Sequence, residues 1–223
     1  MRLFLDTGDV EEVKKAAEWG VIDGVTTNPT LIAQSGKGFR ETVLKICELV
    51  PGGAISAEVV ATNYDAMLKE ALEISSWHKQ IVVKVPLIED GVRLTKTLSD
   101  KGIRTNVTLV FSVTQALMAA KAGATYISNF VGRVDDVSGD GMAAVAATVE
   151  MVEDYGFASQ VLVASVRHPQ HVADSLAARA HVATMPYKVM AQLFKHPLTD
   201  IGLERFIADW NKAGLSIFEK ANV

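Results

Sequence analysis

A lysine inside an apolar run is the first residue that calls for a chemical explanation. Lys84 sits in Ile81-Val82-Val83-Lys84-Val85-Pro86. Burial penalises an ammonium, and desolvation favours the neutral amine. A neutral amine held in a cleft is the nucleophile of Schiff-base catalysis. The ordinary alternative is a strand-end lysine that reaches solvent or pairs with a neighbouring carboxylate. Two carboxylates stand in similar places: Asp6, which closes the run from Arg2, and Glu58 in Ser56-Ala57-Glu58-Val59. On separate strands they could face one mouth as general acid and base. Singly, each is more often a salt-bridge or helix-capping residue. Three ionisable groups at the ends of apolar runs are costly unless they are used.

Other polar groups follow the same placement. Thr26-Thr27-Asn28-Pro29-Thr30 reads as a strand-to-helix turn, with Asn28 and Pro29 as turn and helix-start residues, or equally as part of a site. Strand alternation in Thr105-Asn106-Val107-Thr108 puts Asn106 and Thr108 on one face. Later, Arg133 and Arg167 follow the sixth and seventh apolar runs, and Ser165 ends the seventh. Two guanidinium forks and a hydroxyl suit a phosphate, although a surface salt bridge is the simpler reading for one arginine.

These residues need elements that bring their ends together. Apolar runs recur at Arg2–Asp6, Gly24–Thr27, Ala54–Val59, Ile81–Val85, Arg104–Val110, Tyr126–Val131, Val161–Ser165 and Val182–Met185. Most are continuously apolar, as expected of parallel strands covered on both faces. Their ends lie about 25 residues apart, with amphipathic stretches between them. Among those stretches, Asp9 and Glu12 read as a capping box, Asn63 as a cap, and Leu68, Ala71, Leu72 and Ser75 as a stripe. Gly123 and Gly156 read as helix stops. Strict alternation with right-handed crossovers closes most economically into a (β/α)8 TIM barrel, whose chemistry sits at the C-terminal strand ends. No G-x-G-x-x-G follows the first strand, which weighs against a doubly wound sheet. The whole chain, 1–223, reads as one barrel domain. A further helix at about 199–218 has an apolar face, Leu203, Phe206, Ile207 and Trp210, that needs a partner.

Composition narrows the function classes. The chain has 223 residues, 49% of them hydrophobic and 22% charged, with a net charge of -4. This excludes a predominantly disordered chain and argues against a nucleic-acid-binding surface. No run approaches a membrane span, and the N-terminus has no signal-peptide core, so a cytoplasmic location is expected. The single cysteine, Cys47, excludes an intramolecular disulfide and fits a helix core. His168 and His171 have the spacing of a metal pair, but no carboxylate completes it in sequence, so no metal site is expected.

Seven motifs in order resemble the transaldolases, specifically the short single-barrel subfamily that includes fructose-6-phosphate aldolases. They are Leu5-Asp6-Thr7, Thr26-Thr27-Asn28-Pro29-Thr30, Ser56-Ala57-Glu58-Val59, Val83-Lys84-Val85-Pro86, Asn106 to Ser112, Phe130-Val131-Gly132-Arg133 and Ala164-Ser165-Val166-Arg167. The resemblance implies that Lys84 forms a Schiff base with a ketose phosphate and that Asp6 takes the C4 hydroxyl proton. It implies that Glu58 and Thr108 hold a water for proton transfer. Asn28, Asn106 and Ser128 would bind substrate hydroxyls, and Arg133, Ser165 and Arg167 the phosphate. No cofactor or metal is implied, because the iminium is itself the electron sink. Glu58 and Phe130 resemble the transaldolases; the aldolases carry glutamine and tyrosine there. Asn129 departs from the family's usual proline. The expected reaction is dihydroxyacetone transfer from sedoheptulose 7-phosphate to glyceraldehyde 3-phosphate, in the pentose phosphate pathway. The alternatives are fructose-6-phosphate aldolase and a non-catalytic sugar-phosphate-binding barrel. Short family members form decamers of two pentameric rings through the C-terminal helix, so a homo-oligomer is implied.

Overall fold

Valine, isoleucine and threonine dominate the extended runs, and their branched Cβ atoms favour the pleated backbone. In a computed structural model, which describes residues 1–218, these runs form eight parallel strands. They are β1 (Arg2–Asp6), β2 (Gly24–Thr26), β3 (Ala54–Glu58), β4 (Ile81–Pro86), β5 (Thr105–Val110), β6 (Tyr126–Phe130), β7 (Gln160–Ala164) and β8 (Val182–Met185). Each pairs with the next, and β8 returns to β1, closing a (β/α)8 barrel. The helices are α1 (Val10–Ala17), α2 (Pro29–Ser35), α3 (Phe39–Leu49), α4 (Tyr64–Ser76), α5 (Glu89–Asp100), α6 (Val113–Lys121), α7 (Gly132–Asp135), α8 (Gly141–Asp154), α9 (Pro169–Ala177), α10 (Tyr187–Gln192) and α11 (Pro197–Ala213).

Alternation along each strand divides the core in two. Outward side chains such as Leu5, Val25, Ile55, Val83, Val107, Ile127 and Val163 are fully buried beneath the helices. Inward side chains Phe4, Ala54, Val82, Tyr126, Leu162 and Val182 form a smaller plug inside the barrel. Phe4 and Tyr126 meet edge to face at 5.8 Å, the arrangement that ring quadrupoles favour. Gly24 makes room for them: a Cβ there would lie 2.4 Å from the Ala54 carbonyl oxygen and 2.8 Å from the Phe4 ring. Above this plug the interior turns polar, with Thr26, Ser56, Asn106, Ser128 and Thr184 all buried. Apolar packing below supports a polar floor, and the strand ends rise from it.

Local details depart from the sequence reading in instructive ways. β7 stops at Ala164 because Ser165 takes a left-handed φ of 59° that a strand cannot continue. Asp9 caps α1 by accepting from the Glu11 N–H, but Glu12 does not reach back to close a capping box. Its carboxylate accepts instead from the Thr7 hydroxyl at 2.6 Å. Asn63 caps α4 as expected. The buried stripe of that helix is Met67, Ala71 and Ile74 rather than Leu68, Ala71, Leu72 and Ser75. Both stripes satisfy helical spacing, and docking on the sheet selects the one with the larger apolar side chains at its ends. The last helix runs Pro197–Ala213, not to Phe218, because Gly214 adopts φ 63° and ends it with a left-handed cap. None of its residues is buried within the protomer, and Phe206 is 73% exposed.

Candidate active site

The strand ends enclose a cavity of about 330 Å³ at the C-terminal face of the barrel. Lys84 lies in its wall, only 5% exposed. Parallel register sets Glu58 of β3 directly beside Lys84 of β4, so both side chains point inward at one level. Lys84 Nζ reaches Glu58 Oε2 at 3.0 Å and donates to the Thr27 carbonyl at 2.9 Å. The bland alternative for this lysine, a carboxylate partner, is thus present. It is a buried pair facing a cavity rather than a surface contact.

Asp6 stands at the end of β1, where the Thr26 hydroxyl donates to its Oδ1 at 2.7 Å. Thr26 Oγ1 also lies 2.7 Å from Thr184 Oγ1. A hydroxyl has one proton. With that proton committed to Asp6, Thr184 is the donor to Thr26. The chain Thr184 to Thr26 to Asp6 therefore fixes one carboxylate oxygen. On the far side of the floor, Ser128 Oγ donates to Asn106 Oδ1 at 2.7 Å, and Asn106 Nδ2 donates to Ser56 Oγ at 3.1 Å. Asn106 is fully buried beneath the cavity lining and sets the orientation of Ser128, which does line it. Asn28 caps α2, its Oδ1 accepting the Leu31 N–H at 3.0 Å, with Pro29 at the first helical position. The turn reading of this segment is therefore correct, and the same residues line the cavity.

Thr108 is nearly fully buried, yet its Oγ1 has no hydrogen-bond partner among the described residues. It borders the cavity. A hydroxyl of this kind is free to hydrogen-bond a molecule that enters the cavity. Its position depends on a break in β5: the register with β6 shifts between Val107 and Val110, and Leu109 takes a φ of 61°. As a result Thr108 and Leu109 both face the cavity, while Val107 and Val110 both join the outer core. Left-handed non-glycine residues are strained and cluster at functional sites. Leu109 and Ser165 are both of this kind, and both line this cavity.

At the rim, Arg133 places its guanidinium 4.9 Å from the centre of the Phe130 ring, which itself packs on Phe111 at 5.5 Å. Arg133 and Ser165 line the cavity and Arg167 does not. The Arg167 side chain instead pairs with Asp136 at 2.8 Å, both about half exposed. It remains close to the rim, because a Cβ on Gly132 would lie 2.7 Å from Arg167 Cγ and Nε. An exposed pair of this type contributes only about 0.2–1 kcal/mol, so an anion can draw the guanidinium away. The barrel thus gathers Asp6, Asn28, Glu58, Lys84, Thr108, Ser128, Phe130, Arg133 and Ser165 around one cavity, with Asn106 below and Arg167 beside it. Thr184 and Leu109 carry no sequence signal of a role. One is a short hydroxyl near a strand end, and the other depends on a bulge.

His168 caps α9, accepting the His171 N–H at 3.3 Å, and His171 pairs with Asp135 at 3.0 Å. Among the described residues, no three His, Cys, Asp or Glu side chains converge as a metal requires. Asn129 points away from the cavity, and its Nδ2 donates to Thr148 of α8. No described helix is long and apolar enough to cross a membrane.

Known proteins resemble the chain along nearly its whole length. The transaldolase/fructose-6-phosphate aldolase family profile matches residues 3–219. Probable transaldolases from Anaeromyxobacter sp. (strain K) and Petrotoga mobilis are 58% and 53% identical over 212 residues. The matches cover 95% of this chain and 97% and 96% of the respective relatives. A thiamine phosphate pyrophosphorylase structure from Pyrococcus furiosus superposes with a TM-score of 0.58 at 16% identity, covering 83% of this chain and 85% of its own. That similarity speaks to the barrel fold alone. With a cavity built from strand-end residues and a match along nearly its whole length, the chain belongs to the transaldolase/fructose-6-phosphate aldolase family.

Proposed function

We propose that the protein is a transaldolase that moves a dihydroxyacetone unit from sedoheptulose 7-phosphate to glyceraldehyde 3-phosphate, through a Schiff base on Lys84. The observation that carries this reading is the buried Lys84–Glu58 pair, 3.0 Å apart and open to a cavity that also holds Asp6. Glu58 can take a proton from Lys84 as the amine attacks the ketose C2 carbonyl. Loss of water then leaves an iminium. Glu58 and the unpartnered Thr108 hydroxyl are placed to hold that water. The Asp6 carboxylate takes the C4 hydroxyl proton, the C3–C4 bond breaks, and its electron pair passes to the iminium nitrogen to give an enamine. Erythrose 4-phosphate leaves, and glyceraldehyde 3-phosphate takes its place. The enamine carbon attacks the aldehyde, Asp6 returns the proton, and hydrolysis frees fructose 6-phosphate and Lys84.

Asn28 and Ser128 suit substrate hydroxyls in this reading, with Asn106 acting through Ser128. Arg133 and Ser165 suit the phosphate, and Arg167 joins them after leaving Asp136. The choice of transfer over release rests on Glu58 and on Phe130, whose ring has no hydroxyl to position a protonating water. Borohydride reduction in the presence of fructose 6-phosphate tests the mechanism, and should leave the adduct on Lys84. An unlabelled Lys84 would sink it. Acceptor dependence tests the choice: dihydroxyacetone release without an acceptor, at the rate of transfer, would make the enzyme a fructose-6-phosphate aldolase.

The same reading makes the enzyme a cytoplasmic homo-oligomer in the pentose phosphate pathway. The exposed apolar residues of α11, Leu203, Phe206, Ile207 and Trp210, support an assembly in which this helix meets a neighbouring subunit. Sedimentation of the purified protein tests the decamer.

A further inference from the structure

The chemistry above leaves the buried imidazole of His171 unused. His171, in the first turn of α9, is 7% exposed. Its Nδ1 accepts the backbone N–H of Arg167 at 3.2 Å, and its Nε2 donates to Asp135 Oδ2 at 3.0 Å. The two bonds use different ring nitrogens and together specify the neutral Nε2–H form. Burial favours that form, holding the pKa below its ordinary value; His168 acts in the same direction, while Asp135 and Asp174 oppose it.

Each bond holds a different part of the cavity rim. The Arg167 N–H belongs to the segment after β7, which carries Ser165 and Arg167. Asp135 belongs to α7, which carries Arg133, and its Oδ1 is held in turn by the Gly141 N–H at 3.1 Å. On the inner side the two segments already meet, where the Gly132 N–H donates to the Ser165 carbonyl at 3.1 Å. His171 joins them on the outer side. We propose that His171 is a positioning residue for sugar-phosphate recognition: its ring latches α7 to the Ser165–Arg167 segment and so sets the spacing of the phosphate donors. The latch rests on the assignment of Arg133 and Ser165 to the phosphate proposed above.

The two conservative variants separate its bonds. His171→Asn places an amide oxygen near the Nδ1 position, keeping the Arg167 acceptor and losing Asp135. His171→Gln reaches the Nε2 position, keeping Asp135 and losing the acceptor. Three quantities are measured on the full-length enzyme. They are KM and kcat for fructose 6-phosphate with erythrose 4-phosphate as acceptor, the competitive inhibition constant of inorganic phosphate, and the rate of borohydride trapping of Lys84 by unphosphorylated dihydroxyacetone. KM and the phosphate inhibition constant should rise together, by up to about tenfold for loss of one hydrogen bond. kcat should stay within about twofold, and trapping by dihydroxyacetone should not change. Asp135→Asn, which keeps the shape of the pair, should move the same two constants in the same direction by about threefold, and decides the matter if the histidine variants do not fold. Unchanged phosphate constants in all folded variants would overturn the latch alone. A parallel fall in dihydroxyacetone trapping would also overturn it, by showing a general structural role. Failure of inorganic phosphate to compete in the wild-type enzyme would overturn the phosphate assignment, and the latch with it.

Discussion

Replacing Lys84 with methionine separates what this residue does for the fold from what it does for the reaction. The apolar replacement removes the amine and leaves Glu58 without its partner at 3.0 Å. Removing one member of a fully buried pair destabilises a protein by roughly 3–5 kcal/mol. The Glu58 side chain keeps 13% of its exposure and borders the cavity, so it can regain some hydration. The expected loss is therefore about 2–3 kcal/mol, at or below the lower end of that range. For a domain of this size each kcal/mol shifts Tm by about 2–4 °C, so Lys84→Met should melt roughly 5–10 °C below the wild type. Adding Glu58→Gln removes the stranded charge. The double variant should be about 2 kcal/mol more stable than Lys84→Met, and Glu58→Gln alone completes the double-mutant cycle that gives the coupling energy. Transfer activity should be abolished in both variants that lack Lys84, because no nucleophile remains. Thermal unfolding followed by circular dichroism measures the first effect, and turnover with sedoheptulose 7-phosphate and glyceraldehyde 3-phosphate measures the second. Measurable turnover in Lys84→Met would refute the Schiff-base assignment. A double variant as unstable as Lys84→Met would refute the claim that Glu58 and Lys84 balance each other.

Three further outcomes are expected. Phe130→Tyr adds a hydroxyl at the cavity rim and should raise release of free dihydroxyacetone relative to transfer; product analysis without an acceptor would show no rise if the position has no part in protonation. Gly132→Ala puts a Cβ 2.3 Å from the Ser165 carbonyl oxygen and 2.7 Å from Arg167, so it should destabilise by about 1–3 kcal/mol and raise KM for phosphorylated donors. A normal KM would mean that the two rim segments do not act together. Burial lowers the pKa of His171 and of His181, whose Nδ1 accepts the Val161 N–H at 3.1 Å. At His181 the positive charges of Arg2 and the N-terminus add to this, while Glu153 opposes it. The unfolded chain then takes up these protons first as pH falls below the ordinary 6.5. The stability contribution of the two neutral rings is full above that value and is lost below it. Unfolding measured between pH 5 and 7.5 should show this decline, with a shallower slope in His181→Asn; an unchanged slope would rule out His181 as a contributor.

Much of the molecule is legible in the residue order because the relevant physics is local and periodic. Continuous apolar runs, separated by amphipathic stretches of matching length, allow few solutions other than a barrel. A lysine or carboxylate at the end of such a run stands out for the same reason: burying its charge is costly. Asp6, Glu58 and Lys84 were therefore visible singly as candidates. Helix stops such as Gly123 and Gly156, at φ 84° and 66°, follow from local backbone sterics.

What only the tertiary structure decided depends on closure and register. Glu58 opposes Lys84 because β3 and β4 pair with that register, which no local pattern specifies. Thr184 reaches Thr26 only because the last strand returns to the first, 158 residues away in sequence. Strict alternation would send Leu109 outward and Val110 inward. The left-handed turn at Leu109 reverses this and exposes Thr108 and Leu109 together to the cavity. Arg167 reads in sequence as a phosphate ligand equal to Arg133, yet the fold parks it on Asp136, an acidic neighbour 31 residues earlier. Residue type and spacing identified which groups could react. Strand pairing across a closed barrel decided which of them meet, because contacts between distant segments depend on the whole sheet and not on any one stretch of chain.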